Sequence, residues 1–165
     1  MIYDRYIPIM RAAINYAIAN SNDPDSQVGA FCVLGQSPDH LPRIVAKAAN
    51  MILLPYETRE EKLLASLHAE KAALTLAREA GLSNLKGATL VVTRHPCSHC
   101  MIDIHLSGCK SVVYLDRPED ENSSWKASFA SAKTIAAKFH IDLIKVPLET
   151  LYRHTTELPE IRTAN

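Results

Sequence analysis

Two short segments carry the residues best suited to bind a metal ion and to move protons. His68 and Glu70 are separated by one residue, and Cys97 and Cys100 form a Cys-x-x-Cys pair that follows a proline. One imidazole and two thiolates provide three ligands for tetrahedral zinc, and the fourth position stays open to water, as in catalytic sites. Zinc lowers the pKa of its bound water, and a nearby carboxylate can carry the protons. The pattern predicts a hydrolytic Zn2+ centre held by His68, Cys97 and Cys100, with Glu70 as the proton carrier.

The cysteine pair alone is also compatible with a structural zinc site or a thioredoxin-like dithiol. A structural site would call for a second tight ligand pair, and the redox interpretation would place the cysteines after the first strand of its fold. The remaining cysteines, Cys32 and Cys109, are interpreted as small packing residues. The two segments together match H-x-E…P-C-x-x-C, the signature of zinc deaminases that act on nucleobases.

The elements that position these segments follow from hydrophobic periodicity and from Gly and Pro punctuation. The pattern predicts helices over residues 3–19, 63–80, 97–106 and 124–139, with residues 58–62 as a possible separate turn. It predicts strands over residues 28–34, 43–49, 88–93, 111–115 and 141–146. The first two strands form a hairpin, and the strand–helix–strand order of the second half predicts parallel pairing with right-handed crossovers.

Size and composition restrict the class of protein. The 165 residues suit a single domain over 1–165, with residues 146–165 as a peripheral C-terminal tail. Eighteen basic and eighteen acidic residues cancel, which favours a small-molecule substrate over a nucleic acid. The chain shows neither a signal-peptide pattern nor a membrane-spanning run, so we expect a cytoplasmic protein with no membrane association.

The sequence resembles the cytidine/deoxycytidylate deaminase family, and within it most closely the deoxycytidylate (dCMP) deaminases. The resemblance covers residues 3–146 and rests on SNDPDSQVGA at 21–30, REEK at 59–62 and the two zinc-motif segments. It implies a three-layer α/β/α fold with a five-stranded mixed sheet, in which the fourth and fifth strands are parallel. It also implies zinc as the cofactor and a homo-oligomer, a dimer or a hexamer.

The resemblance further implies that the backbone N–H of Ala69 meets the pyrimidine carbonyl and that Asn50 touches the sugar. The sequence has Ala48-Ala49-Asn50-Met51 where the family has a Gly-Tyr-Asn-Gly motif, and Ala72 where an Asn is common. For two further candidate sites, the sequence does not decide between a contact with substrate and exposure to solvent. Ser26 could meet a phosphate or simply be a polar loop residue, and Arg94 and His95 could meet phosphate or base or form a solvated pair.

The expected reaction is the hydrolysis of dCMP to dUMP and ammonia. The alternatives with the same chemistry are cytidine, a modified dCMP, guanine and an adenosine in tRNA, and a non-catalytic zinc- or nucleotide-binding protein is a further one. Trp125 and Phe129 lie one helical turn apart, and this spacing favours a core or subunit contact over stacking on a base.

Overall fold

The computed structural model describes residues 1–35 and 42–153. The helices are α1 (Ile7–Asn20), α2 (Arg59–Ala65), α3 (Ala69–Glu79), α4 (Ser98–Ser107), α5 (Lys126–Lys138) and α6 (Leu148–Tyr152). The strands are β1 (Gly29–Leu34), β2 (Arg43–Ala49), β3 (Met51–Ile52), β4 (Ser66–Leu67), β5 (Thr89–Val92), β6 (Ser111–Asp116) and β7 (Asp142–Pro147). Short 3-10 turns at Asp4–Tyr6 and Pro118–Asn122 precede α1 and α5. Most of the predicted hairpin loop lies outside the described residues.

Five strands form one mixed sheet in the order β2-β1-β5-β6-β7. β1 runs antiparallel to both β2 and β5, whereas β5, β6 and β7 are mutually parallel. The parallel pairs are joined through α4 and α5, because parallel neighbours need a crossover connection. The prediction of a mixed sheet with its last two strands parallel is confirmed.

Helices cover both faces of this sheet. On one face, α1 and the buried Leu151 of α6 pack on Phe31, Val91 and Val113. On the other face, α3, α4 and α5 pack on the alternate residues of the same strands, such as Leu90 and Val112. Alternation of side chains along each strand thus divides the core into two layers, which gives the predicted α/β/α architecture.

Gly29 shows how closely α1 lies on the sheet. A Cβ atom at this position would lie 2.2 Å from the carbonyl oxygen of Ala13 and 3.3 Å from Cβ of Ala17. Only a residue without a side chain fits at the start of β1, and this contact sets the height of α1 above the strand.

The predicted helix over residues 63–80 needs correction, because the chain forms two helices here. α2 ends at Ala65, Ser66 and Leu67 pair with Ile52 and Met51, and α3 begins at Ala69. The possible separate turn at 58–62 corresponds to the start of α2. This helix begins with a capping box between Thr58 and Glu61.

The predicted peripheral tail needs correction up to residue 153. Val146 and Leu151 are fully buried, and Arg11 of α1 donates a hydrogen bond to the carbonyl oxygen of Leu151 at 2.6 Å. These residues close one end of the core, whereas residues 154–165 lie outside the described part of the chain. Among the described residues, no helix combines the length and apolar character needed to cross a membrane.

Candidate active site

The metal-binding candidates lie at the N-terminal ends of two helices. His68 is the N-cap residue of α3, and Cys97 is the N-cap residue of α4, where its sulfur accepts a hydrogen bond from the N–H of Cys100. The break between α2 and α3 at residues 66–68 therefore helps to form the site, because it places the His68 imidazole next to the first turn of α4. Helix N-termini favour negative charge and so favour the thiolate forms that bind metals.

The distances between the three candidate ligands fit a tetrahedral metal ion. Nδ1 of His68 lies 3.6 Å from Sγ of Cys97 and 3.4 Å from Sγ of Cys100, and the ligand atoms of all three residues lie within 4.8 Å of one another. Zinc bonds of about 2.3 Å to sulfur and about 2.1 Å to nitrogen place such atoms about 3.6 Å apart in a tetrahedron. The residues therefore fit zinc without rearrangement of the backbone.

The three groups also perturb one another's protonation. A hydrogen bond from Cys100 lowers the pKa of Cys97 to about 4, and a hydrogen bond to Cys97 raises the pKa of His68 to about 9. The pKa of Cys100 is raised, because its thiol donates to Cys97 and is buried. Metal binding would displace the remaining protons, as is general for thiol and imidazole ligands.

Glu70 is a buried carboxyl beside these ligands. Its side chain is 4% exposed, and burial raises its pKa, although the neighbouring His68 acts in the opposite direction. A carboxyl with a raised pKa can both accept and return a proton near neutral pH.

A cavity of about 470 Å³ opens over this cluster, and His68, Ala69, Glu70 and Cys97 line it. Its size is in the range typical of small-molecule sites. Ala69 is the first residue of α3, so its backbone N–H has no partner within the helix and lies at the cavity wall.

Asn50, which follows β2, and Ser26, which precedes β1, line the same cavity. Both lie at the end of the β1–β2 hairpin that is opposite its loop. The amide oxygen of Asn50 accepts hydrogen bonds from the Ser21 hydroxyl (2.7 Å) and the Val28 N–H (2.9 Å), and its amide nitrogen donates to the Ser26 carbonyl at 2.8 Å. Asn50 thus holds the segment 21–28 in place, and its second amide N–H is not engaged within the described residues. The Ser26 hydroxyl is buried and has no partner there either.

Lys62 of α2 holds the same segment from the opposite side. Its ammonium group lies 2.7 Å from Asp23 and 2.6 Å from Asp25 and is mostly buried. The pKa of Lys62 is raised by these two carboxylates, although burial acts to lower it. The REEK segment at 59–62 therefore contributes to the wall of the cavity, a contact that sequence spacing alone does not reveal.

Arg94 and His95 do not form a solvated pair, and that alternative is wrong. Both residues are buried and line the cavity. Arg94 donates from Nε and Nη2 to one carboxylate oxygen of Asp120, at 2.9 and 2.6 Å. Nδ1 of His95 lies 2.7 Å from the carbonyl oxygen of Pro96, and burial lowers the pKa of the imidazole. The loop after β6, which supplies Asp120, is thus part of the site.

Trp125 and Phe129 also line the cavity, which sequence reasoning missed. The two rings lie 6.4 Å apart at an angle of 18°, and Trp125 meets His68 edge to face at 5.9 Å and 70°. Phe129 packs with Cys97 and Cys100 in a small buried cluster. A spacing of four residues is expected both for a helix face buried in the core and for a helix face that lines a cavity. Only the tertiary structure distinguishes these two positions.

A family model describes this arrangement. The model of the cytidine and deoxycytidylate deaminase zinc-binding region matches residues 5–116, which include all four residues of the predicted zinc centre. The chain belongs to this family. It is a zinc-dependent hydrolytic deaminase, and zinc is its cofactor. A search of curated proteins found no significant match.

Solved structures of deaminases share the fold of this family member. A dCMP deaminase from the cyanophage S-TIM5, in complex with dCMP and dUMP, matches with a TM-score of 0.59 and 21% identity over 84% of this chain and 94% of that chain. A guanine deaminase from Bacillus subtilis matches with a TM-score of 0.51 and 20% identity over 79% of this chain and 74% of that chain. At these identities the likeness extends to the fold alone.

Proposed function

We propose that this deaminase converts dCMP and water into dUMP and ammonia. The observation that carries the proposal is the position of the segment 21–30, whose resemblance to dCMP deaminases is more specific than that of the zinc motif. Asp23, Asp25, Ser26 and Val28 of this segment line the cavity that also contains the zinc ligands. The S-TIM5 enzyme, whose structure holds dCMP and dUMP, is an example of a deaminase of this fold that binds the proposed substrate.

The proposed chemistry uses one carboxyl for every proton transfer. Zinc bound by His68, Cys97 and Cys100 would supply a water nucleophile activated at neutral pH. Glu70 takes one proton from the attacking water and passes it to the ring nitrogen. It then takes the remaining hydroxyl proton and delivers it to the departing amine, so that ammonia leaves as the carbonyl forms. Burial raises the pKa of its carboxyl, which favours uptake of a proton from the attacking water.

The proposed substrate contacts use groups that the fold leaves available. The unpaired N–H of Ala69 binds the pyrimidine carbonyl, and the second amide N–H of Asn50 binds the sugar. The buried Ser26 hydroxyl donates to the sugar or phosphate, since it has no other partner in the described chain. Unsatisfied buried donors are costly, so a substrate that pairs with them gains affinity.

We assign the phosphate contacts to the cationic side chains of the cavity wall that still have N–H groups free of carboxylate partners. Lys62 is held by two aspartates, whereas Arg94 uses Nε and Nη2 for Asp120 and keeps Nη1 outside that pair. Arg59 is exposed and donates to the hydroxyl of Ser124 at 2.9 Å. We assign Arg94 and Arg59 to the phosphate. His95, kept neutral by burial, is assigned to the base.

The test is an ammonia-release panel with zinc-loaded protein over dCMP, CMP, deoxycytidine, cytosine, guanine and adenosine. We expect dCMP to give the highest kcat/KM. A higher value for a free base or a nucleoside would overturn dCMP as the substrate while leaving the deaminase chemistry intact.

The role of Glu70 has its own test. Glu70→Gln keeps the shape of the side chain and removes its proton-carrying ability, so kcat should fall by about 10²- to 10⁴-fold with zinc content unchanged. Glu79→Gln, at the exposed end of the same helix, is the matched control and should keep full activity. Retained turnover in Glu70→Gln would exclude the proton-carrier role.

Assembly and location complete the proposal. We propose a cytoplasmic homo-oligomer, a dimer or a hexamer, with a small nucleotide rather than a nucleic acid as its ligand. Light scattering coupled to size exclusion measures the oligomeric state, and a monomer at micromolar concentration would contradict the proposal. Binding of tRNA that weakens steeply with salt would contradict the exclusion of nucleic acid.

A further inference from the structure

The guanidinium group of Arg94 has a fixed orientation in the cavity wall. Nε and Nη2 both donate to the same carboxylate oxygen of Asp120, at 2.9 and 2.6 Å. The ring of Phe129 lies against the guanidinium, with 5.6 Å between Cζ of the arginine and the ring centroid. Arg94 lines the cavity only three residues before the candidate zinc ligand Cys97. Because a guanidinium is planar, fixing Nε and Nη2 also fixes the direction of the remaining Nη1 group.

Asp120 is in turn held by the loop that follows β6. Its backbone N–H donates to the carbonyl oxygen of Arg117 at 3.0 Å, and its carbonyl oxygen accepts from the Ser123 hydroxyl at 3.0 Å. Arg117 ties the same loop to the end of β5, because its Nε donates to the carbonyl oxygen of Thr93 at 2.8 Å. All of these residues are buried. The loop therefore holds two consecutive residues, Thr93 and Arg94, directly before the segment that carries the zinc-ligand cysteines.

We propose that Asp120 is a positioning residue for substrate binding, which aims Nη1 of Arg94 at the substrate and sets the affinity through it. Arg94 lines the cavity, whereas Asp120 is not one of the residues that line it. The inference rests on the proposed contact between Arg94 and the substrate and extends it to a residue outside the cavity. A long side chain that is free to rotate loses entropy when a ligand orders it, whereas a side chain fixed in advance does not.

The hydrogen bonds of Asp120 separate its position from its charge. Both bonds from Arg94 go to Oδ1, and Oδ2 is buried without a hydrogen-bond partner in the described part of the chain. An asparagine can therefore present its amide oxygen at Oδ1 and place its amide nitrogen at Oδ2, so that Arg94 is still held. A leucine has a similar size and accepts no hydrogen bond. Asp120→Asn thus removes the charge alone, and Asp120→Leu removes both the charge and the positioning.

The experiment measures steady-state kinetics of zinc-loaded variants with the compound of the ammonia-release panel that wild-type protein turns over fastest. KM is the main readout, because it does not depend on how much of a destabilised variant is folded. Arg94→Met and Asp120→Leu should each raise KM by about 10- to 150-fold, the loss of one hydrogen bond to a charged group. We expect a smaller change in kcat once it is corrected for the folded fraction measured by circular dichroism. A KM for Asp120→Leu at or below the wild-type value would overturn the inference.

The double variant Arg94→Met/Asp120→Leu shows whether Asp120 acts through Arg94. If it does, the KM of the double variant equals that of Arg94→Met, because without the guanidinium there is nothing left to position. A KM close to the product of the two single increases would mean that the two residues act independently, which contradicts the proposal.

Two further variants control for charge. Asp120→Asn should stay within about threefold of the wild-type KM, because its amide oxygen still holds Arg94. An increase as large as that of Asp120→Leu would assign the effect to the lost charge and refute positioning. Asp116→Ala removes a half-exposed carboxylate at the end of β6 and should leave KM unchanged.

The same measurements separate this inference from the proposed substrate. If the panel selects a compound without a phosphate, dCMP fails as the substrate, and coupled KM increases in Arg94→Met and Asp120→Leu still confirm the role of Asp120. If dCMP is turned over fastest and Arg94→Met leaves its KM unchanged, the proposed substrate stands and the positioning role is refuted.

Discussion

The ion pair between Arg94 and Asp120 should be essential for stability. Both side chains are nearly buried, at 10% and 9% exposure, and the carboxylate oxygen that accepts from Arg94 does so twice. Removing one partner of a buried pair costs about 3–5 kcal/mol, because the remaining charge is left without compensation. Arg117, also buried, has its pKa lowered to about 10 by burial and by the charge of Arg94. Asp120→Ala would therefore leave Arg94 without its carboxylate and remove a negative charge that favours the buried Arg117 cation.

The assay is urea unfolding of the zinc-loaded protein. With an m-value of about 2 kcal/mol per M, the expected loss lowers the midpoint by about 1.5–2.5 M. The matched control is Asp116→Ala, which breaks the pair between Asp116 and Lys145, where the side chains are 43% and 55% exposed. Exposed pairs contribute about 0–1 kcal/mol, so this variant should unfold close to wild-type.

A double variant separates charge from packing. Arg94→Met combined with Asp120→Leu removes both charges and keeps apolar volume, and should recover most of the stability lost by Asp120→Ala. The reasoning is refuted if Asp120→Ala costs no more than Asp116→Ala, or if the double variant is as unstable as the single one.

Three further predictions follow from single positions. Cys100→Ser should lose zinc on dialysis, whereas Cys109→Ser, at a buried cysteine away from the candidate ligands, should retain about one zinc per chain by metal analysis. Asn50→Ala removes three hydrogen bonds and should lower the unfolding free energy by about 1.5–4 kcal/mol, against less than about 1 kcal/mol for the exposed Asn20→Ala. Gly29→Ala should cost about 1–3 kcal/mol or more in thermal unfolding, since its Cβ would meet the Ala13 carbonyl at 2.2 Å. A wild-type result for any of these variants contradicts the contact on which it depends.

The sheet and most helices could be predicted because their signals are local. Apolar runs bounded in most cases by glycine or proline mark the five long strands, and the described bounds differ from the predicted ones by at most one residue at either end. The candidate metal ligands were equally accessible, since Cys97 and Cys100 lie in one helical turn and His68 is marked by Glu70. A pattern that is complete within a few residues needs no knowledge of the tertiary structure.

The helix break at 66–68 could not be predicted in the same way. Residues 63–80 are rich in Ala and Leu, and helix propensity alone favours one continuous helix. The break arises because Ser66 and Leu67 pair with β3, fourteen or more residues earlier in the chain. A non-local backbone pairing outweighed local propensity, and it did so at the residue that has to turn toward the zinc site.

The charged and aromatic residues of the cavity wall could not be predicted from local sequence either. From the sequence alone, Arg94 is compatible with a substrate contact or a solvated strand end, and Trp125 with a core or subunit contact. The pairing of Arg94 with Asp120 and the hydrogen bond between Ser98 and Ser128 accompany the positions of both residues at the cavity. These partners are separated by 26 and 30 residues, so no sequence window contains both members of either pair. The zinc ligands are predictable because one ion selects their types and spacing, whereas the residues that select a substrate depend on which parts of the chain the fold brings together. Assigning the base specificity of this deaminase therefore requires measurements at Trp125, Arg94 and Ser26, since the zinc motif is common to the family.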